Sequence, residues 1–99
     1  MADAAVRVGE SGWLLSGELD FETVPALLLH RGVQMEAGKN LTIDLAEVTR
    51  VDSAGLALMI EWLRESERKN LDMTFTNVPE QLLSIARVCG LDEILFQAR

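Results

Sequence analysis

An acid, a hydroxyl and a glycine stand together in Val51-Asp52-Ser53-Ala54-Gly55-Leu56. Residues 41–62 around them, LTIDLAEVTRVDSAGLALMIEW, run from a strand through a polar turn into a helix. That places Asp52 and Ser53 at a helix N-terminus. The first four N–H groups there lack intrahelical partners, and the dipole favours an acceptor or an anion. Such a junction can cap its own helix, bind a partner or take a phosphate. Capping is the commonest use, with Asp52 or Ser53 accepting from the N–H groups of the first turn.

Catalysis is hard to build from the other side chains. Asp52 beside Ser53 is not a nucleophile–base pair, because an ionised aspartate is a poor base for a hydroxyl without a histidine between them. The single histidine, His30, falls on another helix, away from any cysteine or hydroxyl pattern, and reads as an ordinary helix residue. There is no phosphate-binding glycine loop and no cluster with metal-ligand spacing. The single cysteine, Cys89, has no internal disulfide partner and reads as a small hydrophobe in an apolar helix. The chain is expected to be a binding module without cofactor or metal, not an enzyme.

The elements that position the junction follow from periodicity. Leu41, Ile43 and Leu45 alternate with Thr42 and Asp44, which predicts a strand with one apolar face. Residues 46–50 are polar and read as a connection. Leu56, Met59, Ile60 and Leu63 fall at i, i+3, i+4 and i+7, which predicts one buried helix stripe. That helix is expected to fade at Lys69-Asn70. Upstream, residues 5–8 and 13–19 read as a hairpin turned at 9–12, with Trp13 in the core and a bulge at Gly17. A first helix begins near Thr23, tolerates Pro25 in its first turn, shares a face among Val24, Leu27, Leu28 and Met35, and is capped by Gly38. Downstream, residues 72–76 form a strand and 80–89 a helix stopped by Gly90, with a short helical segment over 92–96. The predicted order is β-β-α-β-α-β-α with a short final helix. This is an α/β single domain over residues 1–99, in which helices cover mainly one face of a small mixed sheet and the β-α-β crossovers are right-handed.

Composition excludes several classes. Ninety-nine residues suffice for one modest core, and 48% hydrophobic content argues against disorder. Nine basic against sixteen acidic residues give a net charge of −7, which disfavours nucleic acid and an anionic membrane surface. The longest apolar run, residues 56–60, is far short of a bilayer span, and residues 1–10 have no apolar core of a secretory signal. A reducing cytoplasm fits, with no direct membrane insertion.

Three motifs in this order resemble the STAS family, the domain shared by sulfate transporters and anti-sigma-factor antagonists. They are Gly17-Glu18-Leu19-Asp20, then Ile43-Asp44-Leu45 with Val51-Asp52-Ser53-Ala54-Gly55-Leu56, then Asn77-Val78-Pro79 with Gly90-Leu91. In the antagonists a partner kinase phosphorylates the serine of the second motif, which falls on Ser53 here. The stretch 55–63 and the short segment after Gly90-Leu91 look more like the small STAS subunits of Gram-negative ABC phospholipid transporters. That resemblance implies a non-catalytic cytoplasmic subunit, peripheral to the inner membrane, bound to the transporter's ATPase in complex with a membrane permease. It would support ATPase activity and outer-membrane lipid asymmetry. The alternative is an anti-sigma-factor antagonist switched at Ser53.

The partner surface expected on this reading comprises Asp20, Asp52, Ser53, Ala54, Gly55, Leu58 and Trp62. Gly55 would permit close backbone approach and Ser53 would supply a small polar contact. Leu58 and Trp62 lie off the Leu56–Leu63 stripe on a helical wheel. Trp62 can pack beneath a flanking helix, the stronger reading, or anchor an interface.

Overall fold

The parallel strands that carry the motifs end side by side, and this sets the architecture. The computed structural model describes residues 4–9, 12–29 and 39–96. Its elements are β1 (Ala5–Val8), β2 (Gly12–Leu19), α1 (Val24–Leu28), β3 (Asn40–Val51), α2 (Ser53–Arg68), β4 (Asp72–Thr76), α3 (Glu80–Val88) and α4 (Asp92–Phe96). The four strands form one sheet in the order β1-β2-β3-β4. β1 pairs antiparallel with β2, while β2–β3 and β3–β4 are parallel, so the sheet is mixed. The element order and class agree with the sequence reading. The expected features at His30, Met35 and Gly38 lie outside the described residues.

Strand β3 is longer than its alternation predicts. Residues 46–50, read as a connection, continue the strand to Val51. Its buried positions are Leu41, Ile43, Leu45, Val48 and Val51, spaced two, two, three and three apart. The pairing with β2 explains the change of period. Leu14 faces Asp44 but Ser16 faces Glu47, and Gly17 faces Val48 but Glu18 faces Arg50. β3 therefore carries an extra residue at each of two bulges, and each bulge resets which side chain turns inward. Gly17, with φ of +92°, sits at the second irregularity, at the position where a bulge was expected.

The core lies on one side of the sheet. Trp13, Leu15 and Leu19 of β2, Ile43 and Leu45 of β3 and Phe75 of β4 are buried there with α2. The other sheet face carries Leu14, Ser16, Thr42, Asp44 and Thr74, all half-buried or exposed. α2 packs against α1 and α3 as well as the sheet. Being covered from several sides, it buries Ala54, Gly55, Leu56, Leu58, Met59, Trp62 and Ser66. Ile60 and Leu63 are only half-buried. Of the predicted stripe, Leu56 and Met59 are buried as expected, and the rest of the buried side runs through Leu58 and Trp62 in place of Ile60 and Leu63.

Both long helices end in the same way. Leu71 N–H donates to Ser66 O at 2.9 Å and Asn70 N–H to Glu67 O at 3.2 Å, with Asn70 at φ +53°. After α3, Leu91 N–H donates to Ala86 O at 2.8 Å and Gly90 N–H to Arg87 O at 3.0 Å, with Gly90 at φ +73°. These paired bonds satisfy the last carbonyls through a left-handed residue, which Asn and Gly adopt most readily.

Candidate partner-binding surface

The β2–α1 turn and the β3–α2 junction emerge side by side, because Leu19 and Val51 are register partners at the ends of parallel strands. Asp52 N–H donates to Leu19 O at 3.1 Å and locks the two exits together. Asp52 has an extended backbone and is the N-cap of α2. Its Oδ1 accepts from Ala54 N–H at 2.8 Å. Gly55 N–H donates to Asp52 O at 3.0 Å. The cap predicted from sequence is therefore Asp52, and Ser53 is left as the first helical residue with its side chain exposed.

The first turn is braced just as tightly. Asp20 Oδ1 accepts from Glu22 N–H at 2.9 Å and from Thr23 N–H at 3.0 Å. Thr23 Oγ1 accepts from Asp20 N–H at 3.0 Å and donates to Glu18 O at 2.7 Å. These bonds form a local side-chain turn, the use of Asp and Thr that competes best outside regular structure. α3 adds a third support: Gln81 Oε1 accepts from Val51 N–H at 2.9 Å, so the last strand residue keeps a partner. Neither Thr23 nor Gln81 was singled out from sequence. Gln81 lies thirty positions from its partner, and no local pattern signals such a bond.

The third motif ties the end of the edge strand β4 to the middle of β3. Asn77, at φ +54°, donates from Nδ2 to Asp44 Oδ1 at 2.9 Å, and Ala46 N–H donates to the same oxygen at 2.9 Å. These donors, the Asn77 amide first and the Ala46 N–H second, hold the Asp44 carboxyl below the ordinary aspartate value.

The seven expected surface residues divide. Ser53 is exposed and Asp20 and Asp52 are half-buried beside it. Ala54 is 7% exposed and Gly55 is buried. Leu58 and Trp62 are 0% exposed, which corrects their expected place on a partner surface: they are core residues. Trp62 stacks edge-to-face on Trp13, with ring centroids 5.1 Å apart, and α1 and α3 cover the flanks on which it was expected to emerge. Its Nε1–H is buried and finds no acceptor among the described residues. Gly55 also has a different role from the one expected. A Cβ there would lie 2.6 Å from Val51 Cγ1 and 3.1 Å from Leu19 Cβ. The glycine lets α2 approach β2 and β3, not a partner.

Other features lie elsewhere. Among the described residues no three His, Cys, Asp or Glu side chains gather as a metal site, and no helix is long and apolar enough to cross a membrane. A groove of about 810 Å³ opens at the opposite end of the parallel strands, lined in part by Leu41, Leu63, Met73, Phe75, Phe96 and Glu67.

A family model described as "Mlab, STAS domain" matches residues 8–97. The chain belongs to the STAS family. It is 34% identical to the intermembrane phospholipid transport system binding protein MlaB of Haemophilus influenzae, over 80% of this chain and 79% of the relative. It is 35% identical to the MlaB of Escherichia coli K12, over 78% of this chain and 77% of the relative. An anti-sigma-B factor antagonist of Bacillus subtilis is 26% identical over 82% of this chain and 74% of its own length. The fold is shared with a crystal structure of an anti-sigma factor antagonist from Mycobacterium paratuberculosis, at a TM-score of 0.63 and 22% identity, covering 96% of this chain and 83% of that one. The resemblance read from sequence, to STAS domains and within them to the small subunits of phospholipid transporters, is thus met by the family model and by the MlaB relatives, while the antagonists match as well. The first two motifs bring Asp20, Asp52 and Ser53 to one end of this STAS sheet, while the third bonds Asp44 within β3.

Proposed function

We propose that the chain is a non-catalytic accessory subunit of an ABC phospholipid transporter, and that it binds the transporter's ATPase through the end of the sheet that displays Ser53. The observation that carries this reading is the exposed Ser53, held on a braced helix start in a chain about as similar to two MlaB proteins as 34–35% identity. Asp20 and Asp52 hold the two adjacent turns and form the half-buried floor of that surface. A non-catalytic role is supported by what the Asp52 carboxylate does: it caps α2 and is not poised to take a proton from Ser53. On this reading the subunit is cytoplasmic, reaches the inner membrane only through the ATPase and its permease, and supports the maintenance of outer-membrane lipid asymmetry. The direct test is a pull-down from the native host with mass spectrometry of the eluate. The ATPase and permease of one ABC transporter are expected together. A kinase and a sigma-factor regulator in their place would contradict the reading.

A second reading is favoured by the same exposed hydroxyl: an anti-sigma-factor antagonist switched by phosphorylation of Ser53. A phosphate there adds roughly −1.5 to −2 charges at pH 7. The helix dipole favours it by about 0.3–1 kcal/mol, but Asp52 repels it, and the N–H groups of Ala54 and Gly55 are already engaged by Asp52. The fold should therefore be nearly indifferent to the modification, while a partner fitted to a neutral hydroxyl should not. On either reading Ser53→Asp should melt like wild type but bind its partner, the ATPase or the sigma-factor regulator, less well. Equal binding would remove Ser53 from the interface.

A further inference from the structure

Phe21 is 72% exposed, although it sits in a turn braced by four side-chain hydrogen bonds. Isolated exposed apolar residues are normal and by themselves mean little. This one differs in where it stands and how it is held. The chain on either side is fixed by the Asp20 carboxylate bonds to Glu22 and Thr23 and by the Thr23 hydroxyl bridging Asp20 and Glu18. The turn is built by Asp20 and Thr23, and Phe21 is absent from the residues packed on the core. A polar residue at position 21 would serve the turn equally and avoid the exposed ring. The turn leaves the sheet from Leu19, the register partner of Val51, so Phe21 projects from the same end as Ser53.

Resting on the reading of this end as the ATPase surface, we infer that Phe21 is the aromatic anchor of the contact, entering an apolar pocket on a basic face of the ATPase. A ring pre-positioned on a rigid turn loses little conformational freedom on binding, which is what makes aromatic side chains effective anchors. The chemistry of the receiving face follows from the rim. Residues 18–23 carry Glu18, Asp20 and Glu22 and no basic side chain, and Asp52 adds a fourth carboxylate at the adjacent turn; the exposed Arg50 opposite Glu18 offsets one of these charges and leaves the rim acidic. In a chain of net charge −7 this rim is complemented by cations around the pocket and repels anionic lipid headgroups.

The test uses the full chain and the ATPase subunit of the ABC phospholipid transporter from the same organism. Phe21→Ala should weaken binding at least tenfold with an unchanged melting temperature, and Phe21→Trp should restore most of the affinity. Glu22→Lys should weaken binding most at low salt, where rim charges are least screened. If Phe21→Ala binds like wild type while Ser53→Arg does not, the anchor assignment fails and the ATPase reading stands. If the wild-type chain does not bind the ATPase, both fail. A melting temperature lowered by many degrees in Phe21→Ala would make the ring structural and overturn the proposal. So would wild-type binding to phosphatidylethanolamine–phosphatidylglycerol vesicles that Phe21→Ala abolishes, because the ring would then be a membrane contact.

Discussion

Asp52 and Ser53 form the outer shoulder of α2, whereas Ala54 and Gly55, the next two residues, belong to its buried flank. The shoulder is polar, held by hydrogen bonds and exposed at Ser53. The flank continues through Leu58 and Trp62 into the deepest part of the core. One short motif thus joins a surface to a scaffold. The residue types follow the division: on the shoulder the carboxylate orders the helix start, and on the flank the missing side chain of glycine lets the helix settle onto Leu19 and Val51. Changes on the flank should therefore act on folding and changes on the shoulder on binding.

The largest effect is expected deepest on the flank. Trp62→Ala removes a fully buried ring and its edge-to-face contact with Trp13. A loss of about 3–5 kcal/mol is expected, lowering the melting temperature by roughly 12 °C or more. A near-wild-type melting curve would break the division at its inner end. Gly55→Val comes next. Its side chain has to occupy space within 2.6 Å of Val51 Cγ1, and overpacking of this kind costs about 1–3 kcal/mol. Denaturant unfolding with an unchanged slope and a lower midpoint is the expected signature. Full stability with lost ATPase binding would return Gly55 to the partner surface.

Asp52→Ala lies on the boundary and should show both kinds of effect. Losing the bond to Ala54 N–H costs about 1 kcal/mol. The melting temperature should fall by roughly 4–8 °C, and Asp52→Asn, which keeps an acceptor oxygen, should recover most of it. Ser53→Ala is expected to change stability by less than about 0.5 kcal/mol, as for other exposed positions without a structural bond. A larger loss would make Ser53 part of the cap.

How much of this division was legible in the sequence depends on the range of the physics involved. The Asp52 cap, the helix behind it and the alternation of Leu41, Ile43 and Leu45 are local, and each could be read from a few neighbouring residues. The rest of β3 could not. Its buried residues change from a period of two to a period of three because of bulges that exist only in the pairing with β2. The helical wheel of α2 marked Leu58 and Trp62 as outlying, because one stripe was assumed to meet one surface, whereas α1, α3 and the sheet surround the helix. Gly55 was legible as a close approach but not as an internal one: Val51 is only four positions back, but Leu19, the other wall, is thirty-six away. The bond from Val51 N–H to Gln81 lies beyond any local signal for the same reason.

The central claim is that the Ser53 shoulder binds the ATPase independently of the fold beneath it. Titration of the purified ATPase subunit against the wild-type chain and Ser53→Arg, with the melting temperature of both, tests it most directly. A cation at the helix start should cost no more than about 1 kcal/mol, a fall of under roughly 8 °C. Affinity should drop at least tenfold. Equal affinity for the two proteins would contradict the account, as would a loss of binding that only accompanies unfolding.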